Sequence, residues 1–151
     1  MLSQDFKEFV ELLNKNKVEY LIVGGYAVGM HGYPRYTGDL DIWINATVEN
    51  AQKMVKVLDE FGFASFGLTE EDFTKLGNVI QMGYPPFRID VLTKIDGVEF
   101  EKCYKNKITI QYDNIPLNII GIDDLKRNKE ASGRPKDCED LRNLKSNGDA
   151  F

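Results

Sequence analysis

The sequence predicts one α/β domain in which helices and strands follow one another irregularly. Three observations support this class: the length suits one domain, the apolar content supplies one core, and apolar spacing switches between helical and strand periods. The chain has 151 residues, of which 42% are hydrophobic, with nine Phe, seven Tyr and one Trp. Because no repeat or long linker divides it, we expect a single domain over residues 1–151, with core motifs at 18–92 and a helical part at 121–146.

Apolar residues three and four apart predict the helices. A stripe from Phe6 to Leu13 follows Ser3, which can cap the first helix. Thr47 can cap a longer helix, and Gly62 provides its end. The helices predicted in this way are 3–15, 26–31, 47–61, 69–76, 122–131 and 135–145.

Short apolar or alternating runs predict the strands. Gly24-Gly25 ends the first run, and Asp113-Asn114 supplies the turn of a hairpin between the last two. The predicted strands are 18–23, 39–44, 79–82, 87–92, 107–112 and 115–120. Helices should therefore cover a sheet of several strands.

The charge balance argues against a surface built wholly for nucleic acid, because the formal net charge is −5. No apolar run approaches the roughly 18 residues that span a bilayer, and the N-terminus lacks the basic and apolar regions of a signal peptide. We therefore expect a cytoplasmic protein in which Cys103 and Cys138 stay reduced.

Two aspartates mark the predicted strand 39–44. Asp39 and Asp41 are two residues apart, so their carboxylates share one face of the strand, roughly 6 to 7 Å apart. Magnesium accepts one or two carboxylates and completes its octahedron with water and phosphate oxygens, which a nucleoside triphosphate supplies. A DxD alone is more often a solvated strand end or a turn cap, so the metal interpretation depends on its context.

Gly24-Gly25 supplies part of that context. The pair lies between an apolar strand and a helix, where missing side chains let backbone N–H groups approach an anion such as phosphate. A tight turn without a ligand is the alternative. Asp90 is the third candidate, because a carboxylate in the apolar run 87–92 needs a partner. That partner is either a metal ion or a neighbouring Arg or Lys.

The stretch GGYAVGMHGYPRYTGDLDI, residues 24–42, resembles the signature of the DNA polymerase beta-like nucleotidyltransferase superfamily. It is most similar to a compact bacterial branch that includes antibiotic nucleotidyltransferases and abortive-infection-type toxins. The matching core covers about residues 18–92, and the later single aspartate of the family corresponds to Asp90. Many relatives have Gly-Ser where this chain has Gly24-Gly25, so phosphate contacts here must come from backbone amides.

The resemblance implies a mixed, mainly antiparallel sheet flanked by helices. It also implies transfer of a nucleotide from a nucleoside triphosphate to an acceptor hydroxyl. Two Mg²⁺ ions roughly 3.5 to 4 Å apart would clamp the attacking oxygen and the leaving pyrophosphate. Asp39 and Asp41 would bind both or either ion. Asp90 would complete the acceptor-side site and could also act as general base.

Flanking basic and polar residues complete the candidate nucleotide site. Arg35 and Thr37 lie between the glycine pair and the DxD, where Arg35 could reach a phosphate or form a structural salt bridge. In the family resemblance, a late stretch with Lys129, Arg134 and Lys136 folds back toward the active site. A solvated basic turn is the alternative for that stretch.

The acceptor is not readable from the sequence. A small hydroxylated molecule and a macromolecule both remain open, and a second subunit of a homodimer could complete the acceptor side. A nucleotide- or partner-binding module without turnover is the competing hypothesis. The presence of acidic residues at all three positions favours an active enzyme.

Overall fold

The structure is a computed structural model that describes residues 2–33, 37–63 and 66–149, with side chains of the last helix described as far as Leu144. The six strands in these ranges form one sheet in the order β3-β4-β2-β1-β6-β5. Three of the five strand pairs are antiparallel, and the pairs β1·β6 and β2·β4 are parallel. The expected mixed, mainly antiparallel sheet is confirmed.

The observed elements lie close to the predicted ones. The strands are β1 Tyr20–Val23, β2 Leu40–Ile44, β3 Val79–Met82, β4 Ile89–Leu92, β5 Ile108–Tyr112 and β6 Ile115–Ile119. The helices are α1 Gln4–Lys15, α2 Gly24–Met30, α3 Val48–Phe61, α4 Glu70–Thr74, α5 Phe100–Lys105, α6 Ile122–Ser132 and α7 Pro135–Asp149. Among these elements, α5 lacks a predicted counterpart.

Two differences concern the ends of helices. Helix α2 begins at Gly24 rather than at Tyr26, so the glycine pair is the first turn of the helix and not a separate turn before it. Helix α7 continues to Asp149, four residues beyond the predicted end. The predicted caps are confirmed: Ser3 Oγ accepts a hydrogen bond from Phe6 N, and Thr47 Oγ1 accepts one from Asn50 N, both at 3.2 Å.

Strand β2 has one wholly apolar face and one mixed face. Leu40, Ile42 and Ile44 alternate along it and are fully buried. The opposite face carries Asp41 and Trp43, as the period of two requires. Trp43 packs edge-on against Phe100 of α5, with ring centroids 5.1 Å apart. Helix α5 therefore covers part of the face that carries the aspartate.

Asn50 ties the start of α3 to the two central strands. Its side-chain Oδ1 accepts a hydrogen bond from Glu19 N at 2.8 Å, and its Nδ2 donates to Glu19 O at 3.0 Å and to Asn45 O at 2.8 Å. The residue is 2% exposed. One buried amide thus satisfies three backbone groups at the start of β1 and the end of β2, and this supports the register on which Asp41 depends.

In the described parts of the chain, no helix is both long enough and apolar enough to cross a bilayer.

The Asn50 network predicts a large stability loss for Asn50→Leu. The leucine would remove three hydrogen bonds and leave the partly buried Glu19 N and Asn45 O without these partners, while Glu19 O keeps its bond from Asn45 N. We expect this to lower the free energy of unfolding by about 2 to 4 kcal/mol. Urea unfolding followed by circular dichroism measures this loss. Gln52→Leu, at an exposed position of the same helix, is the matched control and should change it by less than about 0.5 kcal/mol. Equal losses in the two variants would show that the network does not stabilise the fold.

Candidate active site

Strand register brings the three predicted aspartates together. In the parallel pair β2·β4, Asp41 lies opposite Asp90, and lateral neighbours in a sheet project from the same face. Asp39 lies just before β2, two residues from Asp41. A single guanidinium, that of Arg88, contacts both Asp39 and Asp90, at 2.7 and 2.8 Å. We call Asp39, Asp41 and Asp90 the acidic triad.

Gly24 lies directly against this triad. Val23 pairs with Asp41 in the antiparallel ladder β1·β2, and helix α2 begins at the next residue. Gly24 has a φ of +68°, and a Cβ added there would lie 3.0 Å from Asp41 Cγ and closer still to Oδ2. Only glycine fits this position without a shift. The first turn of α2, whose N–H groups have no acceptor within the helix, therefore adjoins a carboxylate of the triad.

The surroundings of Asp41 disfavour its negative charge. Burial is the main cause and raises the pKa of Asp41 to about 6, with further contributions from the charges of Asp90 and Asp39. Lys129 and Arg88 act in the opposite direction but do not cancel these effects. Within the described ranges, no donor hydrogen-bonds to the Asp41 carboxylate. The site therefore carries an excess of negative charge that a cation would relieve.

The donor set is chemically suited to a hard divalent cation. Carboxylate oxygens are the ligands that Mg²⁺ takes from proteins, and Asp41 has oxygens without a partner among the described residues. However, no group of three or more His, Cys, Asp or Glu side chains in the described part of the chain has a geometry ready to hold a metal ion. Arg88 forms ion pairs with two of the three carboxylates. The salt-bridge alternative for Asp90 is thus realised, by Arg88.

A polar cavity of about 290 Å³ opens beside Asp41 and Gly24. Two of the predicted basic residues, Lys129 and Arg134, lie in its wall. The other polar residues of the wall are Lys94, Asp96, Asn128 and Ser132. The cavity thus joins the glycine-bearing start of α2, one carboxylate of the triad, and basic groups from helix α6 and the turn that follows it.

Lys129 is held in place by two buried carboxylates. Its Nζ lies 3.1 Å from Asp137 and 3.2 Å from Asp140, and all three side chains are at most 5% exposed. Asp137 also accepts hydrogen bonds from Arg134 Nε at 2.6 Å and from Ser132 Oγ at 2.8 Å. The hydrogen bonds of Asp137 outweigh its burial and lower its pKa to about 2. Asp137 and Asp140 therefore anchor Lys129 of α6 to α7.

The remaining predicted residues contribute less or lie elsewhere. Thr37 is partly buried, and its hydroxyl reaches the backbone oxygen of Asp39 only at 3.5 Å. Lys136 is exposed on α7 and is not among the residues that line the cavity. Arg35 lies outside the described residues.

Arg88, Lys94 and Asn128 are among the residues of the site that were not predicted. Arg88 stands two residues before Asp90, so its proximity to that carboxylate was visible in the sequence, but its contact with Asp39 depends on the pairing of β2 with β4. Lys94 and Asn128 enter through tertiary packing. Asn128 Nδ2 donates to Asp96 O at 2.9 Å and so joins α6 to the segment after β4. No sequence pattern indicates that contact.

Solved structures share this architecture. A Thermotoga maritima protein classed as a candidate nucleotidyltransferase matches with a TM-score of 0.60 and 13% identity, covering 93% of this chain and 89% of its own. The lincosamide antibiotic adenylyltransferase LnuA, solved with lincomycin, matches with a TM-score of 0.57 and 17% identity over 97% of this chain and 98% of LnuA. The chain has the nucleotidyltransferase fold.

A third nucleotidyltransferase-fold structure is ANT(2'')-Ia in complex with adenylyl-2''-tobramycin. Its TM-score is 0.52 at 14% identity, over 91% of this chain and 83% of that one. No protein-family model and no curated protein matches the sequence. Because the identities are this low, the likeness shows the fold alone.

The close approach of Gly24 to Asp41 predicts that Gly24→Ala lowers the free energy of unfolding by more than its backbone strain alone would. Gly67→Ala is a matched control, because Gly67 has nearly the same φ, +69°, with no atom within 4 Å of an added Cβ. Both variants should lose about 1 kcal/mol from the left-handed backbone. We expect Gly24→Ala to lose a further 1 to 3 kcal/mol, about the cost of overpacking, in urea unfolding. Equal losses would mean that Asp41 does not restrict this position.

The raised pKa of Asp41 predicts that Asp41→Asn stabilises the metal-free protein at neutral pH. The folded-state pKa of Asp41 is about 6, whereas the ordinary value for an aspartate is 3.8. The stabilisation from protonated Asp41 is therefore complete below about pH 4. It is lost as the pH rises through 6. The ionised group then destabilises the fold by up to about 3 kcal/mol.

Urea unfolding in a chelator at pH 7.5 and pH 5 tests this. Asp41→Asn should be about 1 to 3 kcal/mol more stable than the native chain at pH 7.5, with a smaller gap at pH 5. Asp59→Asn, on the exposed side of α3, should show neither effect. A less stable Asp41→Asn protein at pH 7.5 would contradict the electrostatic description of the site.

Proposed function

We propose that this protein is a magnesium-dependent nucleotidyltransferase that moves a nucleoside monophosphate from a nucleoside triphosphate to an acceptor hydroxyl and releases pyrophosphate. One observation carries the proposal. Asp41, without a hydrogen-bond donor among the described residues and with a pKa raised to about 6, lies between Gly24 and Asp90 at the edge of a polar cavity that Lys129 and Arg134 line. Such a site suits a metal ion on one side and phosphate groups on the other.

The triphosphate is expected to lie across the first turn of α2. The backbone N–H groups at Gly24 and Gly25 can donate to phosphate oxygens there, and missing side chains permit close approach. Lys129 and Arg134 line the adjacent cavity. The ammonium of Lys129 has three donors, and two carboxylates engage it, so a third donor is available for a phosphate oxygen.

Asp39, Asp41 and Asp90 are the residues that would hold Mg²⁺, and two ions are expected. When bound, Mg²⁺ would offset the charge of the phosphates and lower the pKa of a coordinated hydroxyl. The fit rests on the donor chemistry and on the excess negative charge around Asp41.

The chain's own residues can then direct the transfer. The acceptor oxygen forms a bond to the α-phosphorus while the bond from that phosphorus to the bridging oxygen breaks, so pyrophosphate leaves. Asp90 lies on β4, directly opposite Asp41 of β2. From there its carboxylate can act as general base and take the proton of the acceptor hydroxyl. The start of α2, with Lys129 and Arg134, would stabilise the charge of the leaving pyrophosphate.

The similar structures narrow the choice of donor and acceptor that we propose. LnuA is a lincosamide antibiotic adenylyltransferase, and the ANT(2'')-Ia complex contains adenylyl-2''-tobramycin. We therefore propose ATP as the donor and a small hydroxylated molecule as the first acceptor class to test. A macromolecular acceptor is the second class.

A nucleotide-binding module without turnover is the alternative, and one observation favours it. Arg88 forms ion pairs with two of the three carboxylates that would bind metal. If Arg88 stayed there permanently, a triphosphate could still bind at the start of α2, but the acidic triad could not complete its site.

A transfer assay separates these functions. The protein is incubated with Mg²⁺, each labelled triphosphate in turn, and hydroxylated antibiotics or a bacterial extract as acceptors, and pyrophosphate release is followed. We expect Asp41→Asn and Asp90→Asn to lower the rate by at least ~100-fold, because they remove a metal ligand or the base. Asp59→Asn is the matched control and should retain the native rate.

If the protein binds a triphosphate but shows no Asp41-dependent release of pyrophosphate, the binding module is favoured. If the protein bound neither a triphosphate nor a divalent cation, the proposed function would be refuted.

A further inference from the structure

Arg88 has a position in this site that the proposed reaction does not use. We propose that Arg88 is a built-in counter-cation of the acidic triad, which a divalent cation must displace from Asp39 and Asp90 in order to bind. This inference rests on the proposed function, because it concerns the site at which the metal would act. It makes Arg88 a positioning residue that controls metal affinity.

The geometry of Arg88 is that of a strong, specific ion pair. Its Nε donates to Asp90 Oδ1 at 2.8 Å and its Nη2 to Asp90 Oδ2 at 3.1 Å, which is a bidentate fork on one carboxylate. The same Nη2 donates to Asp39 Oδ2 at 2.7 Å. The side chains of Arg88, Asp39 and Asp90 are 27%, 33% and 10% exposed, so water screens these contacts only in part.

The guanidinium and a divalent cation need the same oxygens. Both oxygens of Asp90 and Oδ2 of Asp39 accept hydrogen bonds from Arg88. A metal ion held by the whole triad would take at least some of those lone pairs, and its charge would repel a guanidinium a few ångströms away. The two cations therefore compete for one site.

No other Lys or Arg side chain in the described residues acts as a counter-cation of the acidic triad. Lys129, whose charge does reach Asp41, is itself engaged by Asp137 and Asp140. Of the described Lys and Arg side chains, only Arg88 forms an ion pair with a member of the triad. Arg88 thus holds Asp39 and Asp90 together against their mutual repulsion when no metal is present, and it weakens metal binding by the same contacts.

Titration with Mn²⁺ in the absence of nucleotide tests the proposal directly, with free Mn²⁺ measured by electron paramagnetic resonance. Arg88→Gln should bind Mn²⁺ roughly tenfold more tightly or better, because a unit charge a few ångströms from the metal is removed. Arg88→Lys keeps the positive charge but loses the bidentate fork, so its affinity for Mn²⁺ should lie between those of the native protein and Arg88→Gln. The double variant Arg88→Gln/Asp41→Asn should lose the tight site, which places that site at the triad.

Arg127→Gln is the matched control. Arg127 forms a comparable ion pair with Asp124, at 2.7 Å on α6, with no contact to the triad. Its substitution removes the same formal charge from the protein and should leave the Mn²⁺ affinity within about twofold of native, because the contribution of a distant exposed charge is screened.

A second measurement on the native protein does not depend on how the variants fold. In ¹⁵N-labelled protein, the Arg88 Nε–H signal should be protected from exchange without metal, since it donates to Asp90. Saturating Mg²⁺ should remove that protection, while the Arg127 signal stays unchanged. Retained protection at saturating Mg²⁺ would overturn the proposal.

The outcomes separate this inference from the function on which it rests. If the native protein binds Mn²⁺ and Arg88→Gln binds it no more tightly, the counter-cation role is wrong while metal-dependent transfer stands. If neither protein binds Mn²⁺ without nucleotide, the counter-cation role is wrong, and the transfer assay decides the proposed function separately. Tighter binding by Arg88→Gln, together with loss of Nε–H protection in the native chain, supports the proposal.

Discussion

Repulsion among three carboxylates on one face of the sheet is the constraint around which this site is arranged. Asp41 and Asp90 are lateral neighbours in a parallel ladder, and Asp39 lies two residues from Asp41. Burial, Asp90 and Asp39 together raise the pKa of Asp41 to about 6. Such an arrangement is unfavourable for folding, so its presence in a well-packed sheet calls for a balancing cation.

The chain supplies positive charge in two different ways. Arg88 contacts Asp39 and Asp90 directly and remains partly exposed, so it can exchange places with another cation. Lys129 is buried and held by two carboxylates, so it is a fixed charge in the cavity wall. A fixed cation near the expected phosphates and a displaceable one at the expected metal site would suit an enzyme that binds and releases a metal–nucleotide complex in each cycle.

Local patterns were enough to predict most of the fold. Caps at Ser3 and Thr47 and the alternation of Asp39 to Ile44 involve neighbours in sequence, and each is observed. The order of the strands was not readable from these patterns. The parallel pairing of β2 with β4 joins segments nearly fifty residues apart across α3 and α4, so the assembly of Asp90 with Asp41 rested on family resemblance until the register was known.

The rest of the site depends on close packing that leaves little trace in sequence. The cavity wall forms because the segment after β4 approaches α6. Gly97 has a φ of +80° there, and an added Cβ would lie 3.2 Å from Arg127 O and closer still to Ala131. This contact brings Lys94 and Asn128 to the cavity. A lone glycine and two polar residues in separate segments carry no pattern that predicts it.

The most direct test of this account is a crystal structure with Mn²⁺ and a non-hydrolysable ATP analogue, in which anomalous scattering locates the metal. We predict a metal peak about 2 Å from carboxylate oxygens of Asp41 and at least one other member of the triad. The phosphates should lie over Gly24 and Gly25, and Arg88 should no longer contact Asp39. A bound nucleotide whose metal lies away from the triad, or no metal peak there at all, would contradict the account.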